Sequence, residues 1–209
     1  MLSLFPPERD VTMSQHPRFH PLVPDSLIPG DWFPGRTPRN IVVGENCVID
    51  SSFCFKHFFS TEPVGLRLGR DITLWRTSLA AETHGVIEIG DGSYIANASL
   101  VCSSRITIGS RVMIAGGVTI ADADFHPLEP AARLADTIAL SPRGDRTHRP
   151  GMQAAPVVIG DDVWIGWNAT VLKGVHIGAD VVIEPGSVVT RDVPAGTRVA
   201  GNPARPVAQ

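Results

Sequence analysis

The sequence predicts an all-β protein built as a stack of about six three-sided coils of short strands. Three regularities carry this prediction. An aliphatic residue recurs at every sixth position, a glycine follows the first such residue in each group of three, and every interruption falls after the third. No α-helix keeps a six-residue spacing on one face, because it has 3.6 residues per turn. A fixed period of this kind determines a whole architecture.

The repeat is clearest from Ile159, where the chain reads IGDDVW IGWNAT VLKGVH IGADVV IEPGSV VTRDVP. Grouped in threes, eighteen such anchor residues make six coils, and we expect their side chains to fill the interior of the stack. The anchors are Val43, Ile49 and Phe55; Leu68, Leu74 and Ala80; Ile89, Ile95 and Val101; Ile108, Ile114 and Ile120; Ile159, Ile165 and Val171; and Ile177, Ile183 and Val189.

A glycine occupies the same place in every coil, directly after the first anchor. Glycine at a fixed corner indicates either that the backbone needs a positive φ or that stacked turns leave no room for a Cβ. Both explanations stay open at the level of sequence. The six glycines are Gly44, Gly69, Gly90, Gly109, Gly160 and Gly178.

The period breaks four times, after Phe55, Ala80, Val101 and Ile120. Each break follows a third anchor, so we expect all four insertions to leave the stack at one shared corner. The longest, residues 121–156, lies between coils four and five. It is longer than a structural turn requires, which predicts a functional loop.

Composition excludes several classes of protein. The chain has 209 residues with 18 Lys and Arg against 21 Asp and Glu, and this balance does not favour nucleic-acid binding. Three cysteines without paired spacing predict buried, reduced thiols. The sequence shows neither a secretory signal pattern nor an apolar run long enough to span a bilayer. We therefore expect a cytoplasmic protein that does not insert into membranes.

The predicted organisation is one repeat domain, residues 39–194, that contains the inserted loop 121–156. Residues 1–38 lack the repeat and carry eight prolines, which argue against a long helix and predict an irregular N-terminal arm. Residues 195–209 are predicted to form a C-terminal cap or tail.

Two runs of the sequence, VVIGDDVWIGWNATVLKGVHIG and VVTRDVPAGTRVAGNPAR, resemble the hexapeptide-repeat acyltransferases, and in particular the maltose and galactoside O-acetyltransferase group. The resemblance covers roughly Arg39 to Pro206. It implies a left-handed parallel β-helix that assembles as a homotrimer with active sites between neighbouring prisms. It also implies transfer of an acetyl group from acetyl-CoA to a hydroxyl of a sugar, glycan or natural product, with no metal required.

Acyl transfer to a hydroxyl needs a base, and histidine is suited to this near neutral pH. The resemblance places the catalytic histidine at His126, in the string DADFHP where the repeat gives way to the long loop. Asp122 and Asp124 precede it and are expected either to orient its ring or bind the acceptor, or only to cap the turn. Trp164 and Asn97 are the other two candidates for acceptor binding.

The resemblance also implies coenzyme A contacts along the last coils. The matching positions are Trp167, Pro185, Thr190, Arg191 and Arg205. The guanidinium groups among them suit phosphate oxygens. Four arginines of the long loop face either solvent or an anionic acceptor: Arg133, Arg143, Arg146 and Arg149.

Three alternatives remain open. The first is an antibiotic-modifying acetyltransferase of the same fold, which only acceptor screening separates. The second is a γ-type carbonic anhydrase, whose zinc needs three protein ligands. His84 and His126 are present, but the segment ValCysSerSerArg supplies no third histidine. The third is a non-catalytic scaffold, against which the long loop with its His-Pro string argues.

Overall fold

The computed structural model describes residues 19–208, and short strands dominate this part of the chain. One α-helix, α1 (Pro130–Leu140), and two 3₁₀ turns, Ser52–Phe55 and Arg146–His148, accompany them. The strands are β1 (His20–Pro21), β2 (Ile41–Val43), β3 (Val48–Ile49), β4 (Leu66–Leu68), β5 (Thr73–Trp75), β6 (Ser78–Ala81), β7 (Val86–Ile89), β8 (Tyr94–Ala96), β9 (Ser99–Cys102), β10 (Arg105–Ile108), β11 (Met113–Ile114), β12 (Thr119–Ala121), β13 (Val157–Ile159), β14 (Trp164–Ile165), β15 (Thr170–Val171), β16 (His176–Ile177), β17 (Val182–Ile183), β18 (Val188–Val189), β19 (Arg198–Ala200) and β20 (Arg205–Pro206).

The strands form the three faces of a parallel coil. The first sheet has the order β1-β3-β5-β8-β11-β14-β17-β19-β20, the second β16-β13-β10-β7-β4-β2 and the third β18-β15-β12-β9-β6. The second sheet holds one strand from each of six coils, as the sequence predicts. Within the three sheets, antiparallel pairs occur only at the ends of the first, between β1 and β3 and between β19 and β20.

The predicted anchors fill the interior with two corrections, and Val43 of the first coil is only partly buried against the core. Ala80 and Val101 are only half-buried, whereas their neighbours Leu79 and Leu100 are fully buried and pair across β6 and β9. Ile120 of the next coil pairs with Leu100 as well. The prediction is therefore wrong by one residue at the third anchor of coils two and three.

The reason is a shorter corner. Leu79 follows Leu74 by five positions, and Leu100 follows Ile95 by five, where the predicted repeat has six. Because alternate residues of a strand face opposite sides, a shift of one residue exchanges the buried and exposed faces.

Close stacking of the coils explains why glycine occupies the same position in each of them. A Cβ on Gly90 would lie 2.6 Å from the carbonyl carbon of Gly109, and one on Gly160 would lie 2.7 Å from the backbone nitrogen of Ala179. The glycines themselves do not need a positive φ. The left-handed conformation falls two residues later, at Asn46, Asp71, Gly92, Arg111, Asp162 and Asp180.

The two ends of the stack differ from the predicted boundaries. Part of the N-terminal arm is ordered against the first coil, where β1 pairs with β3 and the side chains of Leu22 and Ile28 are buried. The first eighteen residues of the predicted arm, 1–18, lie outside the described residues. At the other end β19 pairs in parallel with β17, so the stack continues beyond residue 194.

The long insertion leaves between β12 of the third sheet and β13 of the second, and it contains helix α1. Glu129 caps this helix by accepting hydrogen bonds from the backbone N–H groups of residues 131–132. Pro130 at the first helical position suits a helix start, because its missing N–H has no partner there. The expected loop is thus partly helical, and the protein is not entirely β.

The stacking predicts a large effect at Gly160. Gly160→Ala should lower the free energy of unfolding by about 1 to 3 kcal/mol, because the new methyl group meets backbone that has little freedom to move. Gly151→Ala is the matched control, since a Cβ there meets nothing within 4 Å. Urea unfolding followed by circular dichroism measures both. Equal stabilities for the two variants would contradict the stacking explanation.

Candidate active site

His126 lies just beyond β12, where the long insertion leaves the stack. Its ring Nδ1 is hydrogen-bonded to Oδ2 of Asp136, on α1, at 2.7 Å. The Asp136 side chain is 0% exposed, whereas that of His126 is 58% exposed. One nitrogen of the imidazole is therefore held by a buried carboxylate, and Nε2 is left for another partner.

Arg149 fixes the other side of this carboxylate. Its Nε donates to Oδ1 of Asp136 at 2.7 Å, one terminal nitrogen donates to Glu82 at 2.7 Å, and the other donates to the carbonyl of Phe125 at 2.9 Å. The guanidinium hydrogen bond lowers the pKa of Asp136, against the opposing effect of burial and with help from the His126 hydrogen bond. The buried carboxylate is therefore charged and paired.

Two other histidines also pair with carboxylates, but at the surface. His84 and Glu62 lie 2.9 Å apart with side chains 80% and 34% exposed. His148 and Asp145, in the same loop as His126, lie 2.9 Å apart with side chains 81% and 59% exposed. Among the histidine–carboxylate pairs in residues 19–208, only that of His126 has a fully buried carboxylate.

The structure corrects the expected partners of His126. Asp122 is buried and accepts the backbone N–H groups of residues 103–104 at 2.6 and 2.7 Å. Asp124 forms an ion pair with Lys173. Both aspartates hold the base of the loop to the stack, and neither orients the His126 ring. The orienting residue, on α1, follows the histidine by ten positions, and no local sequence signal predicts that contact.

A cavity of about 320 Å³ adjoins this group. Its lining includes Phe125, Phe59 and Arg146, together with Ser99 of β9. Phe125 has a φ of +59°, a strained conformation for a bulky residue next to the candidate base. The Arg146 guanidinium lies 4.7 Å from the centre of the Phe59 ring.

The two other acceptor-binding candidates lie on different parts of the prism. Trp164 is in the first sheet, 40% exposed, and pairs with Met113 of the coil before it. Asn97 lies at the corner between the first and third sheets with a φ of +49°. It lines a second cavity, of about 420 Å³, together with Arg76 and Thr77.

The predicted coenzyme A residues form two groups. Trp167, which is 68% exposed, and Pro185 lie at the corner between the first and third sheets on successive coils. Thr190 and Arg191 follow β18, after the third sheet, and are exposed. Arg191 and Arg205 line one cavity of about 140 Å³. The structure thus brings the two arginines together and keeps them apart from Trp167.

Residues 19–208 contain neither a metal-binding cluster nor a membrane-spanning helix. No group of three or more histidine, cysteine, aspartate or glutamate side chains is placed to hold a metal ion. No helix there has the length and apolar character needed to cross a membrane.

Comparison with known proteins identifies the repeat. Residues 156–191 match the family model described as bacterial transferase hexapeptide, six repeats. A hexapeptide-repeat acetyltransferase of Vibrio cholerae O1 biovar eltor, solved with acetyl-CoA, is 31% identical with a TM-score of 0.55, and the match covers 74% of this chain and 73% of that one. The predicted left-handed parallel β-helix is confirmed as the fold.

Two further matches are also named as acetyltransferases. A galactoside acetyltransferase solved with coenzyme A is 28% identical with a TM-score of 0.52, over 80% of this chain and 64% of that one. A Saccharomyces cerevisiae protein whose name assigns it provisionally to the acetyltransferases is 40% identical over 122 residues, which are 57% of this chain and 54% of that protein. The chain spans about half or less of the length of the curated relatives it matches first.

The buried carboxylate predicts a pH-dependent stability. Because the folded-state pKa of Asp136 is lowered from 3.8, its ion pairs stabilise the fold at neutral pH, and this contribution disappears as the pH falls through the folded-state pKa. Asp136→Asn should therefore cost about 3 kcal/mol at pH 7 and less at about pH 3, which is below the unfolded-state pKa of 3.8. Urea unfolding at both pH values measures the difference.

The control is Asp145→Asn, in the exposed pair of the same loop, which should change stability by less than about 0.5 kcal/mol. A loss for Asp136→Asn that is equally large at both pH values would mean that the charge of Asp136 is not its source.

Proposed function

Because this chain belongs to the hexapeptide-repeat acetyltransferase family, we propose that it moves an acetyl group from acetyl-CoA to a hydroxyl of a sugar, glycan or natural product, with His126 as general base. The proposal depends chiefly on the His126 ring, which is bonded at Nδ1 to a fully buried carboxylate while the side chain as a whole is 58% exposed. The named ligands of two related structures, acetyl-CoA and coenzyme A, support the choice of donor.

The transfer is direct in this proposal. Nε2 of His126 takes the proton of the acceptor hydroxyl as its oxygen attacks the thioester carbonyl. The carbon–sulfur bond then breaks, and the leaving thiolate receives that proton from the imidazolium. Asp136 stabilises the imidazolium and keeps the ring oriented, and its own charge is preserved by Arg149.

The cysteines support a mechanism without an acyl-enzyme. Burial raises the pKa of the Cys47, Cys54 and Cys102 thiols. Buried thiols with raised pKa values are poor nucleophiles, since the thiolate is the reactive form.

The donor site is proposed to lie between subunits of a homotrimer. Arg191 and Arg205 line one cavity and offer guanidinium groups to coenzyme A phosphates, while Trp167 and Pro185 lie at another corner of the same prism. These two groups of residues lie at different corners of one prism. One extended coenzyme A molecule contacts both more readily if the arginines come from one subunit and Trp167 and Pro185 from the adjacent subunit. This arrangement also places the His126 loop of one subunit beside the Trp167 corner of its neighbour.

His126→Ala tests the proposed base. It should lower kcat by about 10²–10⁴ and leave acetyl-CoA binding nearly unchanged, because proton removal is needed chiefly in the transition state. Wild-type kcat/KM should fall at acid pH as the imidazole becomes protonated, and the variant should lose that limb. Thiol release from acetyl-CoA, measured with sugars, glycans and hydroxyl-bearing antibiotics, gives both readouts and separates these acceptor classes.

The matched control is His148→Ala, which removes the exposed histidine–aspartate pair of the same loop and should retain wild-type kcat. A His126→Ala enzyme with near wild-type kcat and an unchanged acid limb would rule out His126 as the base.

Arg191→Ala and Arg205→Ala test the donor site. Each should raise the KM for acetyl-CoA by about tenfold, since each removes a charge-assisted hydrogen bond to phosphate. For Arg191→Ala, comparison with acetyl-dephospho-CoA shows whether the lost contact is to the 3′-phosphate. Arg67→Ala, an exposed arginine in β4, is the control. An unchanged KM in either variant would remove that arginine from the site.

A further inference from the structure

Trp32, in the N-terminal arm, is unusually exposed for its size, with 71% of its surface accessible. It is nevertheless held in place. Its ring centre lies 5.0 Å from that of Phe53 and 5.9 Å from that of Phe33. The preceding residue, Asp31, accepts hydrogen bonds from residues 51–52 at 2.6 to 2.7 Å. The arm therefore presents a fixed and uncovered aromatic surface.

Cavities flank this tryptophan. One, of about 420 Å³, includes Trp32, Phe53 and Asn97 in its lining, and the other, of about 300 Å³, includes Trp32 and Trp75. Asp50 and Arg76 line both cavities. Pockets of this size that combine an aromatic wall with a few convergent polar groups are typical of small-molecule sites.

The polar groups suit hydroxyls better than ions. Asp50 accepts the backbone N–H of Arg76 at 2.8 Å with one carboxylate oxygen, and its second oxygen has no partner within residues 19–208. The Arg76 guanidinium lies 5.6 Å from the centre of the Trp75 ring. The Asn97 amide likewise makes no side-chain hydrogen bond in the described part of the chain. An anion would meet Asp50 and a cation would meet Arg76, whereas a neutral polyhydroxyl ring can use all three groups.

The cavities also lie in line with the proposed donor site. Arg76, Asn97 and Trp167 occupy the same corner on coils two, three and five, where the turns stack through backbone hydrogen bonds. At about 4.8 Å per coil, Asn97 and Trp167 are separated by roughly 10 Å. That distance exceeds the length of one sugar ring. A sugar ring bound at Trp32 therefore has to belong to a longer saccharide if another of its units is to reach the donor site at Trp167.

From these observations we infer that the cavities around Trp32 bind a pyranose ring of a neutral oligosaccharide, which makes the acceptor an oligosaccharide and not a free monosaccharide. The ring's apolar face stacks on Trp32, and its hydroxyls bond to Asp50, Arg76 and Asn97. The inference rests on the proposed function, since it names the acceptor class of the same enzyme.

The test measures binding in the absence of acetyl-CoA, with the full chain, by ligand-observed NMR titration. The probes are maltotriose, cellotriose and chitotriose, each compared with its monosaccharide. We expect at least one trisaccharide to bind tenfold or more tightly than its monosaccharide. Trp32→Ala should abolish that preference and Trp32→Phe should retain most of it, because the stacking surface is what the alanine removes.

Leu27→Ala is the matched control, because Leu27 is an exposed apolar residue of the same arm outside both cavities. The inference is overturned if no trisaccharide is preferred, or if Trp32→Ala binds as Leu27→Ala does. It is also overturned if light scattering shows that Trp32→Ala alone changes the oligomeric state, since Trp32 is then a contact between copies. Retained trisaccharide binding without acetyl transfer would instead contradict the proposed function alone.

Discussion

In-register stacking of one coil on the next is the constraint on which the rest of this structure depends. Each strand inside the stack bonds through its backbone to the coils before and after it, and the corner glycines approach the next turn too closely to carry a side chain. Interior anchors then lie above one another, as Ile108 lies between Ile89 and Ile159. A coil cannot change its register without exchanging buried and exposed faces, so the repeat leaves little freedom for variation inside the stack.

The length of the chain can vary at the corner between the third and second sheets. All four insertions leave there, and the longest is closed at its base by a bridge between Ala123 and Ala154 and by the buried Asp122. Glu82, in the insertion after coil two, receives Arg149 from the long loop. The loop is therefore attached to the stack at two places, through Asp122 at its base and through the contact of Arg149 with Glu82. These contacts give His126 a defined position although it lies outside the sheets.

The sequence predicts this fold well and the site only partly, and the difference has a physical cause. The six-residue period reports which residues share a face, so it predicts the coils, the shared corner and the corner glycines. It errs at Ala80 and Val101, because a corner one residue shorter changes the face without any change of residue type. His126 stands where the repeat ends and is visible in sequence. Asp136 is not, because its contact with the histidine is made by the folding of α1 over the loop.

The position of the charged cluster follows from the nature of the interior. The core is filled by aliphatic side chains that neither hydrate nor pair an ion, so a carboxylate that must remain charged cannot be placed among them. Asp136 is instead buried beneath the loop, where Arg149 compensates its charge and Glu82 compensates part of that of Arg149. Removing Asp136 or Arg149 deprives the other of its main charged partner at a place with little access to water. The same pairing that makes this burial tolerable also holds the His126 ring in one orientation, so the stability of the loop and the geometry of the proposed base depend on one set of contacts.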